Sequence, residues 1–125
     1  MKKNNRAWIY CRVAQKDIEA LENQKQRLIF CAEKNGYQVV GLSCDTASGN
    51  TMERPGWKEI IEAVNAKKID MVLAVNGSRV ARNAMELLNC ADWLGENNVK
   101  LITETDGVIG RLHVAVYMRL ARMES

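Results

Sequence analysis

The sequence predicts an α/β fold in three layers, a mostly parallel sheet flanked by helices. Three observations predict it. Short aromatic or β-branched runs alternate with stretches of helical periodicity in the order βαβαβαβα, a pattern that right-handed crossovers turn into a parallel sheet. One of the runs, Ile69–Val75, is almost continuously apolar, as expected for a strand covered on both faces. Finally, 125 residues with 47% hydrophobic and 26% charged side chains can bury a core without metal or disulfide staples.

Each element has its own reason. Ala7–Val13 (AWIYCRV) is rich in aromatic and β-branched residues and reads as the first strand. Ile18, Leu21, Leu28, Ile29 and Ala32 recur at helical spacing up to Gly36, a natural residue for the left-handed position after a helix. Tyr37–Cys44 reads as the second strand, followed by a polar loop from Asp45 to Gly56. Pro55 opens the next helix, where its fixed φ fits the first turn, and Trp57, Ile60, Ile61 and Val64 form its inner face. After the third strand, Asn76-Gly77-Ser78 breaks the chain, and a helix with Met85, Leu88 and Ala91 inward runs to about Asn97. Val99–Thr103 is the fourth strand. A last helix begins near Ile109, with Leu112, Val116, Leu120 and Met123 spaced by three or four. Residues 1–108 therefore read as the sheet domain and 109–125 as the start of a helix. Its apolar face either packs on its own domain or meets a partner helix.

Composition excludes several classes of function. Cys11, Cys31, Cys44 and Cys90 are too far apart in sequence for a zinc knuckle or a CxxC pair, and His113 is the single histidine, so no metal site is expected. Such cysteines fit free thiols in a reducing cytosol, and a cytoplasmic location is expected. The longest wholly apolar stretch, Met71–Val75, cannot span a membrane. Arg12 interrupts the segment after Met1-Lys2-Lys3 before a signal peptide could form. A net charge of +3 permits an anionic partner without demanding one.

Ligands of open parallel sheets bind at the carboxyl ends of the strands. Arg12 lies at the end of the first strand, Arg54 in the loop after the second, and Ser78, Arg79 and Arg82 after the third. Four of the nine arginines thus project toward one rim, where helix N-termini add positive potential. Arg79 and Arg82, three apart near a helix start, are expected to share a face. Guanidinium forks grip phosphate oxygens, so one reading is a phosphate or phosphodiester site. The other pairs each arginine with a carboxylate such as Asp17, Asp45, Glu53 or Asp70. Convergence on one edge favours the first.

The residues that form this rim also resemble a known family. Tyr10-Cys11-Arg12-Val13-Ala14 resembles the Y-x-R-V-S motif that opens the catalytic domain of serine recombinases, the resolvase/invertase family. The likeness continues in order through Ala20-Leu21-Glu22-Asn23-Gln24, Asp45-Thr46-Ala47-Ser48-Gly49, Glu53-Arg54-Pro55-Gly56, Ile69-Asp70 and Ser78-Arg79-Val80-Ala81-Arg82-Asn83, across about residues 7–105. The resemblance implies a resolvase-like sheet of Rossmann or flavodoxin-like topology and a chemistry without metal or cofactor. In the family a serine hydroxyl attacks a DNA phosphodiester to form a phosphoserine link, and arginines stabilise the charge. It implies phosphate contacts from Arg12, Arg54, Arg79 and Arg82, with Ser48 in a mobile loop and Ser78 beside Arg79. It also implies an active-site role for Gln24 and an acidic position at Asp70. The segment from residue 109 matches the start of the family's oligomerisation helix, and no helix-turn-helix DNA-binding module is expected within these residues.

One departure decides the expected chemistry: the nucleophile position holds Ala14, and a methyl group cannot attack phosphorus. Cys11 points to the other side of the strand and reads as a core thiol, Tyr10 as a packed aromatic. The resemblance thus implies an inactive catalytic domain that binds DNA weakly and without sequence preference, as a homodimer or beside an active recombinase. A second possibility is a flavodoxin-like module for a phosphorylated ligand, although no Gly-rich phosphate turn follows strand one. A third is a dimerising regulatory partner.

Overall fold

The computed structural model describes residues 4–14, 17–47 and 54–109. Strand β1 (Arg6–Ala14) leads through α1 (Ile18–Lys34) to β2 (Gln38–Ala47), then α2 (Pro55–Asn65) and β3 (Met71–Ala74). A short 3-10 turn (Gly77–Arg79) precedes α3 (Ala84–Glu96), β4 (Lys100–Thr103) and β5 (Gly107–Val108). The sheet order is β2-β1-β3-β4-β5. The first four of these strands pair in parallel, and β5 runs antiparallel to β4. The chain moves one way from β1 to β2 and the other way from β1 to β3, so the switch point lies between β1 and β3.

Side-chain alternation divides the core into two layers. Ala7, Ile9, Cys11, Met71 and Leu73 pack with Leu28 and Ala32 of α1. Tyr10, Val72, Ala74 and Leu101 pack with Ile60 and Val64 of α2 and with Leu87 and Leu94 of α3. Every residue of β3 is buried, as its unbroken apolar run predicts. Leu21 and Ile29 of α1 pack against the first layer and Trp8 and Trp57 against the second.

The local signals at the helix ends work as read, with additions. Asp17 caps α1 by accepting from Ala20 N at 2.9 Å. The helix stops at Asn35, and Gly36 takes a left-handed φ of 73°. Pro55 stands in the first turn of α2. Its cap comes from elsewhere: Asp45, at the end of β2, accepts from Gly56 N at 2.7 Å and Trp57 N at 3.0 Å.

Three expectations are corrected. β2 does not end at Cys44 but runs on to Ala47, because β1 extends to Ala14 and keeps pairing with it through Ala14 and Ala47. A single helix running from the Asn76-Gly77-Ser78 break to about Asn97 is not formed. The 3-10 turn comes first, and Asn83 caps α3 by accepting from Glu86 N at 2.9 Å. Arg79 and Arg82 therefore do not share a helix face. The two-residue β5 is too short to leave a sequence signal, and Ile109 beyond it is buried with its N–H donating to Leu101 O. The expected face of Leu112, Val116, Leu120 and Met123 lies outside the described residues, as does His113.

Gly56 is required by packing. A Cβ there would lie 2.9 Å from the Cys44 carbonyl oxygen and 3.0 Å from Asp45 Oδ2. Gly56→Ala is expected to cost about 1–3 kcal/mol by overpacking, read as a lower urea midpoint at unchanged slope. An unchanged midpoint would mean that the start of α2 shifts freely.

Candidate functional site

The carboxyl end of β1 outruns its inner neighbour. β3 pairs only with Ala7, Trp8 and Ile9, so farther along β1 backbone groups need other partners. At Arg12 they find them in side chains. Gln24 of α1 accepts from Arg12 N at 3.2 Å through Oε1 and donates to Arg12 O at 3.1 Å through Nε2. Arg79 Nη1, from the 3-10 turn, donates to the same carbonyl at 3.2 Å. Gln24 is buried, and its amide is spent on this backbone clamp.

Beside it lies a polar cluster built on Tyr10. The fully buried Tyr10 hydroxyl donates to Asp45 Oδ2 at 2.7 Å. Its ring meets Trp57 edge-on at 5.2 Å between centroids. The Arg54 guanidinium lies over both rings, 5.8 Å from Tyr10 and 5.5 Å from Trp57, a cation–π arrangement. Arg54 Nε also points at the Tyr10 hydroxyl oxygen at 3.4 Å, and both terminal nitrogens donate to Val80 O. Asp45 completes its set with the two N–H groups of α2, where the helix dipole favours a negative charge.

The four arginines are joined by a continuous chain of contacts. Arg79 holds the Arg12 carbonyl, Arg54 holds the carbonyl of Val80, the next residue after Arg79, and Glu86 reaches both Arg54 Nη1 (3.5 Å) and Arg82 Nε (3.4 Å). Their charge balance differs. Glu86 faces Arg54 and Arg82, whereas no carboxylate among the described residues forms an ion pair with Arg12 or Arg79. The pairing of each arginine with Asp17, Asp45 or Asp70 is not what forms: Asp17 and Asp45 serve as helix caps, and Asp70 takes Arg6.

Other expected positions fall differently. Asp70 is not near this rim. It precedes β3 at the opposite end of the sheet, where Arg6, the first residue of β1, donates to it from its backbone N and from both Nε and Nη2. A residue entering a strand lies at the amino edge, so its acidic group anchors the register of β1 against β3. Ser78 is exposed, and its hydroxyl donates to Asn76 Oδ1 at 2.6 Å. Ala14 is the last residue of β1, in register with Ala47 of β2. Ser48 and Glu53 lie outside the described residues. Among the described residues no group of His, Cys, Asp and Glu could hold a metal ion.

Several site residues were not singled out by sequence. Asp45, as partner of Tyr10 and cap of α2, depends on contacts 35 and 11 residues away, which no local pattern shows. Glu86 had a signal, since it stands at i+4 from Arg82.

Residues 7–125 match the family model described as "Resolvase, N terminal domain". The chain belongs to the resolvase family. Solved structures of serine recombinase catalytic domains share its fold. The N-terminal catalytic domain of TP901-1 integrase aligns with a TM-score of 0.78 at 25% identity, over 95% of each chain. A resolvase family site-specific recombinase from Streptococcus pneumoniae gives 0.78 at 29%, over 95% of this chain and 87% of its own. The C-terminal catalytic domain of ISC1926 TnpA, an IS607-like serine recombinase, gives 0.73 at 27%, over 93% of this chain and 78% of its own. The expected recombinase fold and family are thereby established for this resolvase-family domain. No helix among the described residues is long and apolar enough to cross a membrane.

The thiols set a pH limit on the domain. Burial, and next the neighbouring Cys44, push the Cys11 thiol from 9.0 up to about 12. Burial likewise raises Cys44 and Cys90. Between these values the unfolded chain has released protons that the folded chain keeps. Stability is therefore full below about pH 9 and falls as pH rises toward 12. Urea unfolding at about pH 8 and about pH 10.5 measures this, and Cys11→Ala is expected to make the fall shallower. Equal slopes with and without Cys11 would show that the thiol plays no part.

Proposed function

We propose that this resolvase-family domain grips the DNA backbone with Arg12, Arg79, Arg54 and Arg82 but makes no covalent link to it. The observation that carries the reading is at the β1/β3 switch point, where the Arg79 side chain reaches the backbone of Arg12. Arg79 is fixed on the Arg12 carbonyl, and neither guanidinium has a carboxylate partner among the described residues. Arginines without a carboxylate partner at the carboxyl edge of a parallel sheet suit a phosphate oxygen, which the guanidinium fork grips. Phosphate contacts position a protein without reading sequence, so binding is weak, salt-sensitive and indifferent to base order.

Gln24 acts as a positioning residue. It holds the Arg12 backbone at the end of β1. Ser78, exposed one residue before Arg79, is a further candidate for phosphate contact, and the family pattern adds Ser48. Ala14 stands where the family pattern has its nucleophilic serine, and a carbon–hydrogen bond cannot supply the attacking oxygen, so cleavage and the phosphoserine intermediate are closed to this chain. A domain that keeps its cage, and whose sequence repeats Leu112, Val116, Leu120 and Met123 at helical spacing, still pairs with an active recombinase or with itself. It then modulates strand exchange rather than performing it.

Fluorescence anisotropy with short labelled duplexes tests the binding. Two to four phosphate contacts give a slope of log K against log salt of about −2 to −4. Arg12→Ala or Arg79→Ala is expected to remove about one contact from that slope, equally for scrambled duplexes. Stronger stabilisation by a mononucleotide than by DNA, or marked sequence selectivity, would overturn the reading. Ala14→Ser is expected to yield a covalent DNA adduct on a denaturing gel under conditions where the unaltered chain yields none. An adduct formed by the unaltered chain would refute the claim of inactivity.

A further inference from the structure

Glu86 stands third in α3, three residues after the Asn83 cap. A glutamate there commonly turns back to the N–H of the capping residue. Here the carboxylate turns outward and lies between two guanidinium groups, Oε1 toward Arg54 Nη1 and Oε2 toward Arg82 Nε. Both distances, 3.5 and 3.4 Å, are long beside the 2.7–2.9 Å of firm charge-assisted hydrogen bonds. The two cations are held differently. Arg54 is 18% exposed and fastened to Val80 O and the Tyr10 and Trp57 rings, whereas Arg82 is 54% exposed.

We infer that Glu86 is a positioning residue that occupies, with its own carboxylate, the seat between Arg54 and Arg82 that a DNA phosphate takes when the site is loaded. The inference rests on the DNA-backbone reading above and adds its regulation. The empty site keeps Arg82 beside Arg54 instead of letting two like charges drive it into solvent. An entering phosphate carries the same charge and a similar spread of acceptor oxygens, and it displaces a loosely held carboxylate. Arg54 stays on its carbonyl and rings while Arg82 changes partners. Among the described residues Arg12 and Arg79 have no such competitor, so they meet the backbone first.

Competition makes the sign of the effect unusual: neutralising a residue inside the site strengthens binding. With a short fluorescein-labelled duplex, Glu86→Gln is expected to bind about three- to tenfold tighter, with a salt slope steeper by about 0.9. Glu86→Asp, which keeps the charge, is expected to return the slope of the unaltered chain. Glu33→Gln, on the far end of α1, removes one equal charge from the surface and is expected to change affinity less than about twofold. Adding Arg82→Gln to Glu86→Gln is expected to abolish the gain, which separates release of Arg82 from a general change in charge. Melting curves of each variant confirm that it is folded. If Arg12→Ala weakens binding while Glu86→Gln leaves affinity and slope unchanged, or weakens them, the inference alone is overturned. If neither the unaltered chain nor Glu86→Gln binds the duplex, the inference and the DNA reading fall together.

Discussion

The geometry of the rim depends on one buried carboxylate that forms no ion pair among the described residues. Asp45 is 6% exposed and is satisfied by the Tyr10 hydroxyl and by two N–H groups at the start of α2. Hydrogen bonds to an ionised group contribute about 1.5–3 kcal/mol each, and the helix terminus favours the negative charge. This arrangement ties together three elements, β1 through Tyr10, β2 through Asp45 itself, and α2 through its first turn. It also decides where Arg54 goes. Arg54 immediately precedes Pro55, so pinning the first turn of α2 aims its side chain across the faces of Tyr10 and Trp57. Because Asp45 is already satisfied, the arginine is not neutralised by it.

A second constraint is the unequal length of neighbouring strands. β1 has nine residues and β3 four. The overhang exposes backbone polar groups in the middle of a sheet, where leaving them unpaired is costly. Gln24 and Arg79 take these groups. The same bonds that satisfy the backbone bring a cation from the β3 side to the end of β1. The switch point of the sheet is therefore positively charged because of how it is closed. Elements that would otherwise be separate, α1 and the 3-10 turn, are both fastened to Arg12.

Much of this was legible in the residues, and the part that was not has a physical cause. Periodicity of two and of 3.6 located β1, α1, α2, β3 and β4, and the burial of β3 on both faces followed from Met71–Val75. The alternation of elements gave the parallel topology, and topology gave the rim. The failures come from interactions between distant segments. A strand lengthens when its neighbour offers a ladder, which is why β2 passes Cys44. A 3-10 turn and a capped helix replace one continuous helix because Asn83 caps a later start than Ser78 offers. Asp70 was grouped with the arginines by its place in a motif, although entry into a parallel strand puts it at the opposite edge from exit. Gln24 was given an active-site role by the resemblance alone, and nothing in its spacing showed that its amide would be spent on the backbone of Arg12. Asp45 and Glu86 show the same limit. What they do depends on which donors the fold brings to them.

On the proposed reading, the loss of a hydroxyl at Ala14 separates binding from catalysis cleanly. Enzymes accelerate a reaction only through interactions stronger in the transition state than in the ground state, and an arginine cage around a phosphate contributes to both. Without a nucleophile only the ground-state share remains, and it appears as affinity for the DNA backbone. The described contacts that build the rim run through other residues. Asp45, Gln24 and Arg79 act on Tyr10, on the α2 terminus and on the backbone of Arg12. The backbone of Ala14 stays in register with Ala47, which a serine would equally allow. On that reading a change at this position removes the chemistry and leaves in place the surface proposed to meet DNA.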